Sequence, residues 1–498
     1  MTQDEAMRIL ESGHNVYLTG AAGSGKTHLL NAYIEYLKGK GVNVGVTAST
    51  GIAATHMEGI TIHSWAGIGL RRTASDSDME IILRNRRIAR RFQNTETLII
   101  DEVSMLDAER LDLLERLARI ARGNSEPFGG MQVVLCGDFF QLPPVTTMEE
   151  PSPEFVYKSE VWQNMGLRVC YLGEQYRQGD NEFLKILNAI RSATVDDAVV
   201  NRLHQCRTTA FPPMILKRIV KLYSHNADVD WENRRELSVL PGTEHEYRMT
   251  MEGIPAIAEA LKRGCLAPEK LVLKQGAAVM FVKNNFEKGY VNGTLGTVSA
   301  FDETGFPVIT LLNGKGIVAE PVTWSVEENG RTLAQIKQVP LRLAWAITVH
   351  KSQGMTLDAA QVDLSRSFEK GMGYVALSRV RSLEGLCVLG FNDLALRVDE
   401  ETLIFDEELK RNSEEALLEL ASLPEHTIDE DATSSTSSLA RIREKHPSAY
   451  KKWTADEEDR LVTAFRSGKS MDALAEMLGR QAGGIRSRLI RLGLLEQD

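Results

Sequence analysis

The sequence predicts an α/β protein built on two parallel sheets, each covered by helices. One observation is the regular alternation of short apolar strands and amphipathic helices over residues 1–180. A second is the return of this alternation over residues 344–396. The strands predicted for the first sheet are Val16–Leu18, Val44–Thr47, Thr97–Ile100, Gln132–Cys136 and Val169–Leu172. We therefore assign residues 1–180 to a first lobe and residues 181–405 to a second lobe.

Two insertions interrupt this alternation. The stretch Arg71–Gln93 is polar and rich in arginine, which predicts an inserted hairpin or small subdomain in the first lobe. Residues 272–340 contain short strands separated by glycine turns, which predicts a small β-barrel inserted into the second lobe.

The end of the chain has a different composition. Residues 406–447 are acidic and then rich in serine and threonine, which predicts a flexible linker. Residues 448–498 predict three short helices, the first capped by Thr454 and the third bearing Arg486, Arg488 and Arg491. This pattern is similar to a Myb or helix-turn-helix module that contacts DNA. A helical protein-interaction module with a solvated basic face is the alternative.

Composition limits the classes of protein to be considered. A chain of 498 residues is too long for one hydrophobic core, so we expect several domains. No apolar run approaches the ~20 residues of a membrane span, and the N-terminal residues do not form a secretion signal. The five cysteines are dispersed, so we expect no cysteine-bound metal and a cytoplasmic location, associated with the nucleoid in a bacterium. The net charge of −10 opposes nucleic-acid binding on average, but the basic run Arg84–Arg91 leaves room for a local groove.

A phosphate-loop pattern, GxxxxGK[ST], lies between the strand Val16–Leu18 and a helical stretch, His28–Lys38. Glycines allow successive backbone N–H groups to surround phosphate oxygens, and the following helix N-terminus favours their negative charge. Its lysine can reach the β- and γ-phosphates, and its threonine hydroxyl can bind magnesium. The residues of this predicted nucleotide site are Gly20, Ala21, Ala22, Gly23, Ser24, Gly25, Lys26 and Thr27.

Two further motifs follow predicted strands. Asp101 and Glu102 end an apolar strand, where Asp101 can bind the hydrated magnesium ion and Glu102 can act as general base toward water. Gln141 lies in Gly137–Val145 and can contact the γ-phosphate or orient the water. The aromatic residues next to it, including Phe140, can stack on nucleic-acid bases. Together with the phosphate loop, these motifs predict an ATP-hydrolysing enzyme.

The order of these motifs resembles that of superfamily-one DNA helicases, and most closely the Pif (petite integration frequency) family. The segment Pro127–Gln132 is similar to the signature of that family, and the resemblance covers about residues 1–400. The other motifs that carry it are Thr47–Ala54, Thr61–Trp65, Asp101–Met105, Glu174–Gln178, Ala346–Leu357 and Gly373–Val380.

The resemblance implies two RecA-like lobes that close on ATP and Mg²⁺. Arg177 and Arg379 would then stabilise transition-state charge as arginine fingers. Gln3 would read the adenine, and Gly354 would contribute to nucleotide binding. The insertion Arg71–Gln93 would act as the wedge that separates the duplex.

A set of hydroxyl, imidazole, ammonium and aromatic side chains is expected to contact single-stranded DNA without reading its sequence. These residues are Thr47, Ser49, Thr50, His63, Ser64, Phe140, His350, Lys351 and Ser352.

The motifs and the resemblance together predict an ATP-dependent DNA helicase that acts on single-stranded DNA and at duplex junctions. The resemblance implies 5′-to-3′ travel, and we expect a monomer. G-quadruplexes and RNA–DNA hybrids are further candidate substrates, and repair, recombination or telomere-type maintenance are candidate roles. A recombination-type helicase and a translocase that removes bound proteins are the nearest alternatives. A phosphate-loop kinase and a non-enzymatic DNA tether are disfavoured by the second-lobe motifs and by the intact Lys26, Asp101 and Glu102.

Overall fold

The computed structural model describes residues 1–69, 71–144, 153–173, 181–209, 211, 219–285, 287–311, 314–328, 331–422, 455–467, 469, 474, 477–478 and 488–489. The chain divides into two compact units, Met1–Leu420 and Ala421–Asp498. Within the described ranges, no helix is both long and apolar enough to span a membrane.

The first lobe is built on a six-stranded parallel sheet, which confirms the predicted fold class. Its strand order is β3-β2-β4-β5-β1-β6. The strands are β1 (Val16–Gly20), β2 (Val44–Ala48), β3 (Ile60–Thr61), β4 (Thr97–Asp101), β5 (Gln132–Cys136) and β6 (Arg168–Leu172). β1 and β4 are buried throughout, which explains their continuous apolar sequences. The phosphate loop, the acidic pair and the third motif all follow carboxyl ends of these strands, so they meet at one sheet edge.

The helices of the first lobe are α1 (Gln3–Glu11), α2 (Lys26–Gly39), α3 (Gly51–His56), α4 (Ile62–Ala66), α5 (Asp76–Arg84), α6 (Arg86–Asn94), α7 (Ala108–Arg122) and α8 (Glu160–Asn164). The insertion predicted over Arg71–Gln93 is a pair of helices, α5 and α6. Ser75 and Asp78 form a capping box that starts α5, and the Asn85 side chain accepts from the Arg87 amide to start α6. Phe92 is the buried residue of α6, whereas Arg86, Arg87 and Arg90 are exposed and Arg91 is half-buried.

The second lobe starts with α9 (Asn181–Arg191), α10 (Asp197–Gln205), β7 (Val220–Tyr223) and α11 (Asn226–Val239). An antiparallel insertion follows. Its elements are β8 (His245–Arg248), β9 (Thr250–Gly253), α12 (Pro255–Gly264), β10 (Lys270–Leu273), β11 (Ala278–Phe281), β12 (Leu295–Phe301), β13 (Pro307–Leu311), β14 (Gly316–Val318), β15 (Val322–Glu328), β16 (Arg331–Gln338) and β17 (Leu341–Leu343).

These inserted strands form three antiparallel sheets, ordered β14-β13-β12-β11-β17, β15-β16-β9 and β10-β8. The insertion therefore begins near His245, and the boundary predicted at residue 272 was wrong. The reason is pairing across the sequence: β9 pairs with β16, and β8 pairs with β10, so the earlier strands belong to the same body.

The chain then returns to the second lobe with β18 (Ala346–Thr348), α13 (Val349–Ser352), β19 (Ala360–Leu364), α14 (Met372–Ser378) and β20 (Leu386–Phe391). β18, β7, β19 and β20 form, in that order, a four-stranded sheet whose neighbours are parallel. This sheet confirms the second predicted parallel-sheet lobe.

The predicted linker over 406–447 was wrong in its first part, because Glu400–Ser422 is one helix, α15. Leu409, Ala416 and Leu420 are buried among first-lobe residues, at spacings that place them on one helical face. The helix covers the edge of the sheet, since the Ser413 hydroxyl accepts from the Tyr171 amide of β6 at 3.1 Å. Most of its carboxylates are exposed and Asp406 is buried, so the acidic composition concealed a packed helix.

The second unit is described in part. Helix α16 spans Ala455–Arg466, as predicted for the first helix of the C-terminal module. Leu461, Leu474 and Leu489 belong to one buried cluster. The rest of the predicted second and third helices, with Arg486, and the linker from residue 423 to 447 lie outside the described residues.

Candidate nucleotide and nucleic-acid sites

The phosphate loop joins β1 to α2 through three glycines with left-handed or extended positive φ. The φ angles of Gly20, Gly23 and Gly25 are 145°, 88° and 86°. A Cβ at Gly20 would lie 2.8 Å from the Leu172 carbonyl oxygen, so only glycine fits there. The Lys26 ammonium donates to the carbonyls of Gly20 at 2.8 Å and Ala21 at 3.1 Å, which places its charge inside the loop.

The acidic pair lies at the carboxyl end of β4. Burial, with the neighbouring charge of Glu102, raises the pKa of Asp101 to about 6. Glu102 has a φ of 53°, and its backbone N–H donates to Asp101 Oδ1 at 2.8 Å. This left-handed φ is rare outside glycine, so the backbone is strained at the candidate catalytic pair.

Glu102 is held from both lobes. Gln353 Nε2, which follows α13, donates to Glu102 Oε2 at 3.1 Å. The Ser49 hydroxyl donates to the Glu102 carbonyl at 2.6 Å. Ser49 and Gln353 belong to the two motifs expected to contact DNA, so both motifs also contact the candidate general base.

The residues around the loop fit a triphosphate and its cation. Among the described residues, the buried oxygens Ser24 Oγ, Gln141 Oε1 and Gln353 Oε1 have no hydrogen-bond partner, as expected for groups that bind a ligand. The Thr27 hydroxyl and the Asp101 carboxylate are hard oxygen ligands of the kind magnesium prefers. The described residues contain no group of three or more His, Cys, Asp or Glu side chains able to enclose a metal. A cation here would therefore depend on water and phosphate oxygens as well.

The other predicted nucleotide residues occupy different positions. Gln3 Nε2 lies 3.5 Å from the Gly25 carbonyl, so it borders the loop. Gly354 has a φ of 79°, and a Cβ there would lie 3.7 Å from Ala53 of the first lobe. The Arg379 guanidinium is buried and donates to second-lobe groups, including the Val375 carbonyl at 3.0 Å. These bonds direct it into its own lobe in this conformation.

Arg177 and the rest of its motif, Glu174–Gln178, lie outside the described residues.

Three predicted DNA contacts are corrected by burial. The Thr47 hydroxyl donates to the Ile99 carbonyl at 2.7 Å inside the sheet, and the Ser352 hydroxyl donates to the Val349 carbonyl of its own helix. Phe140 is 3% exposed, and the Arg191 guanidinium lies 4.2 Å from its ring centroid. The two hydroxyls are used internally and the aromatic face is covered, so none of the three is presented to a strand.

In the first lobe, four predicted DNA residues remain at least partly accessible: Ser49, Thr50, His63 and Ser64. Burial, together with the charge of Arg110, lowers the pKa of His63 to about 4, so its ring is neutral near pH 7. Arg91 of the helical insertion donates to the Ser64 carbonyl at 3.1 Å, which brings the basic helix α6 beside this motif.

In the second lobe, His350 and Lys351 line a cleft of about 450 Å³. Exposed Phe368 lies in the same cleft, and its ring stacks on His225 with 4.9 Å between centroids. The Lys351 ammonium donates to Asn226 at 3.2 Å, and burial, with the charge of Arg342, lowers the pKa of Lys351 to about 8. A cation and an exposed aromatic ring are groups that bind a single strand, and the Phe368 ring is 52% exposed although it also stacks on His350.

Sequence reasoning missed several residues of these sites. Gln353 and Tyr374 lie inside motifs that were identified, but they were given no function. Phe368 and Arg191 lie outside those motifs and have no local sequence signal. Their proximity to the sites depends on the folding of distant segments.

The chain is similar to known proteins over most of its length. The family model described as PIF1-like helicase matches residues 3–200, and the model described as DNA helicase Pif1, 2B domain, matches residues 257–301. The ATP-dependent DNA helicase Pif1 of Psychrobacter sp. (strain PRwf-1) is 43% identical over 459 residues, covering 80% of this chain and 69% of the relative. Across curated relatives that are 32–43% identical, the chain spans 60–69% of the relative's length.

Solved structures agree with this similarity. The crystal structure of Pif1 helicase from Candida albicans is 36% identical, with a TM-score of 0.77 over 82% of this chain and 98% of that chain. Pif1 helicase from Bacteroides in complex with ADP-AlF3 and ssDNA is 32% identical, with a TM-score of 0.69 over 82% of this chain and 96% of that chain.

Proposed function

The chain belongs to the PIF1-like helicase family of ATP-dependent DNA helicases, and from this premise we propose that it hydrolyses ATP to move along one DNA strand and separate duplex ahead of it. The observation that best supports this activity is the contact of both lobes with the phosphate-loop edge of the first sheet. The Ala22 amide in the loop donates to Tyr374 Oη of the second lobe at 2.9 Å, and Gln353 donates to Glu102. Hydrolysis and lobe movement therefore involve the same residues.

Lys26, Thr27, Asp101 and Glu102 would perform the ATP chemistry. Lys26 neutralises phosphate charge, and the loop amides bind phosphate oxygens. Magnesium held by Thr27 and Asp101 would supply further charge stabilisation on the phosphates. Because Gln353 binds Glu102 Oε2, we propose that Oε1 accepts the proton of the attacking water.

Arginine side chains would complete the site when the lobes close. Arg379 would leave its second-lobe partners and reach the γ-phosphate, and Arg177 would approach the same group. An arginine that is released only on closure restricts hydrolysis to the closed state. Gln3 at the loop border would contact the adenine.

Strand binding would use the accessible residues of both lobes. Thr50 and Ser64 would contact backbone phosphates in the first lobe, with His350 and Lys351 in the second. Ser49, whose hydroxyl proton goes to the Glu102 carbonyl, would position its motif rather than bond a phosphate. Alternating grip by the two lobes would move the strand, and each base-pair step opened costs about 1.4 kcal/mol on average. The helices α5 and α6 would act as the wedge.

One further assignment of the proposal, 5′-to-3′ travel, rests on family resemblance. The proposal is completed by a monomer as the active species, by forks as substrates, and by G-quadruplexes or RNA–DNA hybrids as further substrates. The C-terminal module would add DNA contacts through its basic third helix.

The test is ATP hydrolysis and unwinding on 5′-tailed and 3′-tailed duplexes. We expect the 5′-tailed duplex to be unwound, and Lys26→Ala to reduce DNA-stimulated hydrolysis to background. Lys38→Ala on the same helix is the matched control, because Lys38 is exposed and pairs with Glu35. Unwinding by the Lys26 variant, or no stimulation by either tail, would contradict the proposal.

A further inference from the structure

A buried chain of hydrogen bonds reaches the phosphate loop from the second lobe. Tyr374 Oη accepts from the Ala22 amide at 2.9 Å and donates to Asp138 Oδ2 at 3.0 Å. Arg191 Nη1 donates to the other oxygen, Asp138 Oδ1, at 2.6 Å. Asp138 and Tyr374 are almost completely buried, so these bonds form away from water.

The chemistry of the groups fixes which atom donates and which accepts in each hydrogen bond of this network. An ionised carboxylate only accepts, so the single hydroxyl proton of Tyr374 is directed to Asp138. The oxygen lone pairs of Tyr374 then face the Ala22 amide. Burial raises the pKa of Tyr374 above its usual range, so the phenol keeps its proton.

Arg191 has a second set of partners on helix α15. Its Nη2 donates to Asp406 Oδ1 at 3.1 Å and to Tyr171 Oη at 2.9 Å. Lys410 lies 2.9 Å from the other Asp406 oxygen, and the face of Phe140 covers the guanidinium. Two cations therefore balance the two carboxylates Asp138 and Asp406, which makes this buried charge cluster tolerable.

The planar guanidinium explains why an arginine is used here. Its two nitrogens bind carboxylates that come from different elements, the loop after β5 and helix α15. Lysine offers one point charge and cannot bridge the same distance with fixed geometry. Arg191 thus links the first lobe, the second lobe and α15 at one point.

The contact reaches the phosphate loop at a specific position. Ala22 lies between Gly20 and Gly23, whose positive φ angles give this segment conformational freedom in the absence of restraints. The bond from its amide to Tyr374 removes that freedom. The start of α14 is also close, since a Cβ at Gly371 would lie 2.7 Å from the Phe140 carbonyl oxygen.

We infer that Arg191 is a positioning residue for the ATP site: through Asp138 and Tyr374 it fixes the phosphate loop, and through Asp406 it makes helix α15 part of that support. This inference rests on the proposed function, because it assigns the supported loop to ATP. It extends the ATP site to residues that contact no phosphate.

The test compares variants of the full chain at each step of the network. Tyr374→Phe removes one hydroxyl and keeps the ring, Arg191→Gln removes the cation, and Asp406→Asn removes the charge on α15. The controls are Tyr33→Phe, a buried first-lobe tyrosine hydroxyl bonded to Leu10 and Gln132, and Arg168→Gln, which breaks a β6–α15 ion pair outside the network.

Three quantities are measured for each variant: the affinity for a fluorescent ADP without DNA, the KM and kcat for ATP with single-stranded DNA, and the melting temperature. We expect Tyr374→Phe to weaken ADP binding and raise the KM about five- to tenfold, the loss expected for one hydrogen bond. Arg191→Gln has the larger effect, Arg191→Lys recovers part of it, and Asp406→Asn adds little to Arg191→Gln. Affinity for single-stranded DNA without nucleotide stays within about twofold.

Unchanged ADP affinity and KM in Tyr374→Phe and Arg191→Gln, with only a lower melting temperature, would reduce the network to a structural role and overturn the inference. The inference would also be overturned if the control variants changed ADP affinity as much as the network variants do. Because ADP binding is measured without DNA, this outcome is distinct from a wild-type enzyme that shows no DNA-stimulated hydrolysis, which would refute the proposed function instead.

Discussion

Replacement of Leu409 by alanine tests whether helix α15 is an integral part of the first lobe. Leu409 is 3% exposed and is packed in the core that contains Tyr17 and Trp162, whereas Leu418 on the same helix is 72% exposed. Truncation of a buried leucine costs about 2–5 kcal/mol through lost burial and the cavity that remains. Truncation of the exposed leucine should change stability by no more than about 0.5 kcal/mol.

Hydrogen–deuterium exchange of peptides from β6 measures this difference locally, which is preferable to a single melting curve for a protein with several domains. We expect Leu409→Ala to accelerate exchange in β6, because α15 covers that sheet edge through Ser413 and the Tyr171 amide. We expect Leu418→Ala to exchange like the wild type. Equal exchange in the two variants would mean that α15 does not support the sheet, and that 406–422 behaves as the linker that composition suggested.

Three further predictions concern the candidate sites. Because the pKa of Lys351 is lowered to about 8, affinity for single-stranded DNA should fall between pH 7 and pH 9 as the ammonium loses its proton. Lys351→Arg should remove most of this pH dependence, because arginine keeps its charge. An equal pH dependence of affinity in the wild type and the variant would contradict this prediction. Gly20→Ala should abolish nucleotide binding, because its Cβ would lie 2.8 Å from the Leu172 carbonyl, whereas Gly39→Ala at the end of α2 has open space and should bind ADP normally. Phe368→Leu should weaken single-stranded DNA binding by about 1–3 kcal/mol through lost base stacking, measured by fluorescence anisotropy, and unchanged affinity would exclude stacking there.

The parallel sheets could be predicted because their signal is local. β1 and β4 are buried on both faces, so an uninterrupted apolar run is enough to identify each strand. The two-residue strand β3 lacks such a run and was missed. The insertion was given the wrong start for a related reason, because β8 and β9 are recognisable only through partners far along the chain.

The candidate site also combines features that are visible in the local sequence with features that depend on the folded structure. The phosphate loop and the acidic pair have fixed spacing, so their residues could be identified from the sequence, and the structure places them at one sheet edge. Burial could not be read in the same way: Thr47, Ser352 and Phe140 match a DNA-binding composition, but their side chains face the interior. Composition specifies which groups are available, whereas only the packing decides which of them reach solvent.

Under the proposed function, the contacts of Glu102 would couple strand binding to ATP hydrolysis. Ser49 lies in the predicted strand-binding motif of the first lobe, and Gln353 lies in that of the second. Ser49 donates to the Glu102 carbonyl, and Gln353 donates to the Glu102 carboxylate. A strand that shifts either motif must therefore change the position or the solvation of the candidate base. Since Glu102 has a left-handed backbone conformation that only its surroundings maintain, loss of one of these bonds would allow it to move. The stimulation of hydrolysis by DNA would then arise at this residue, where the two lobes and the two sites meet.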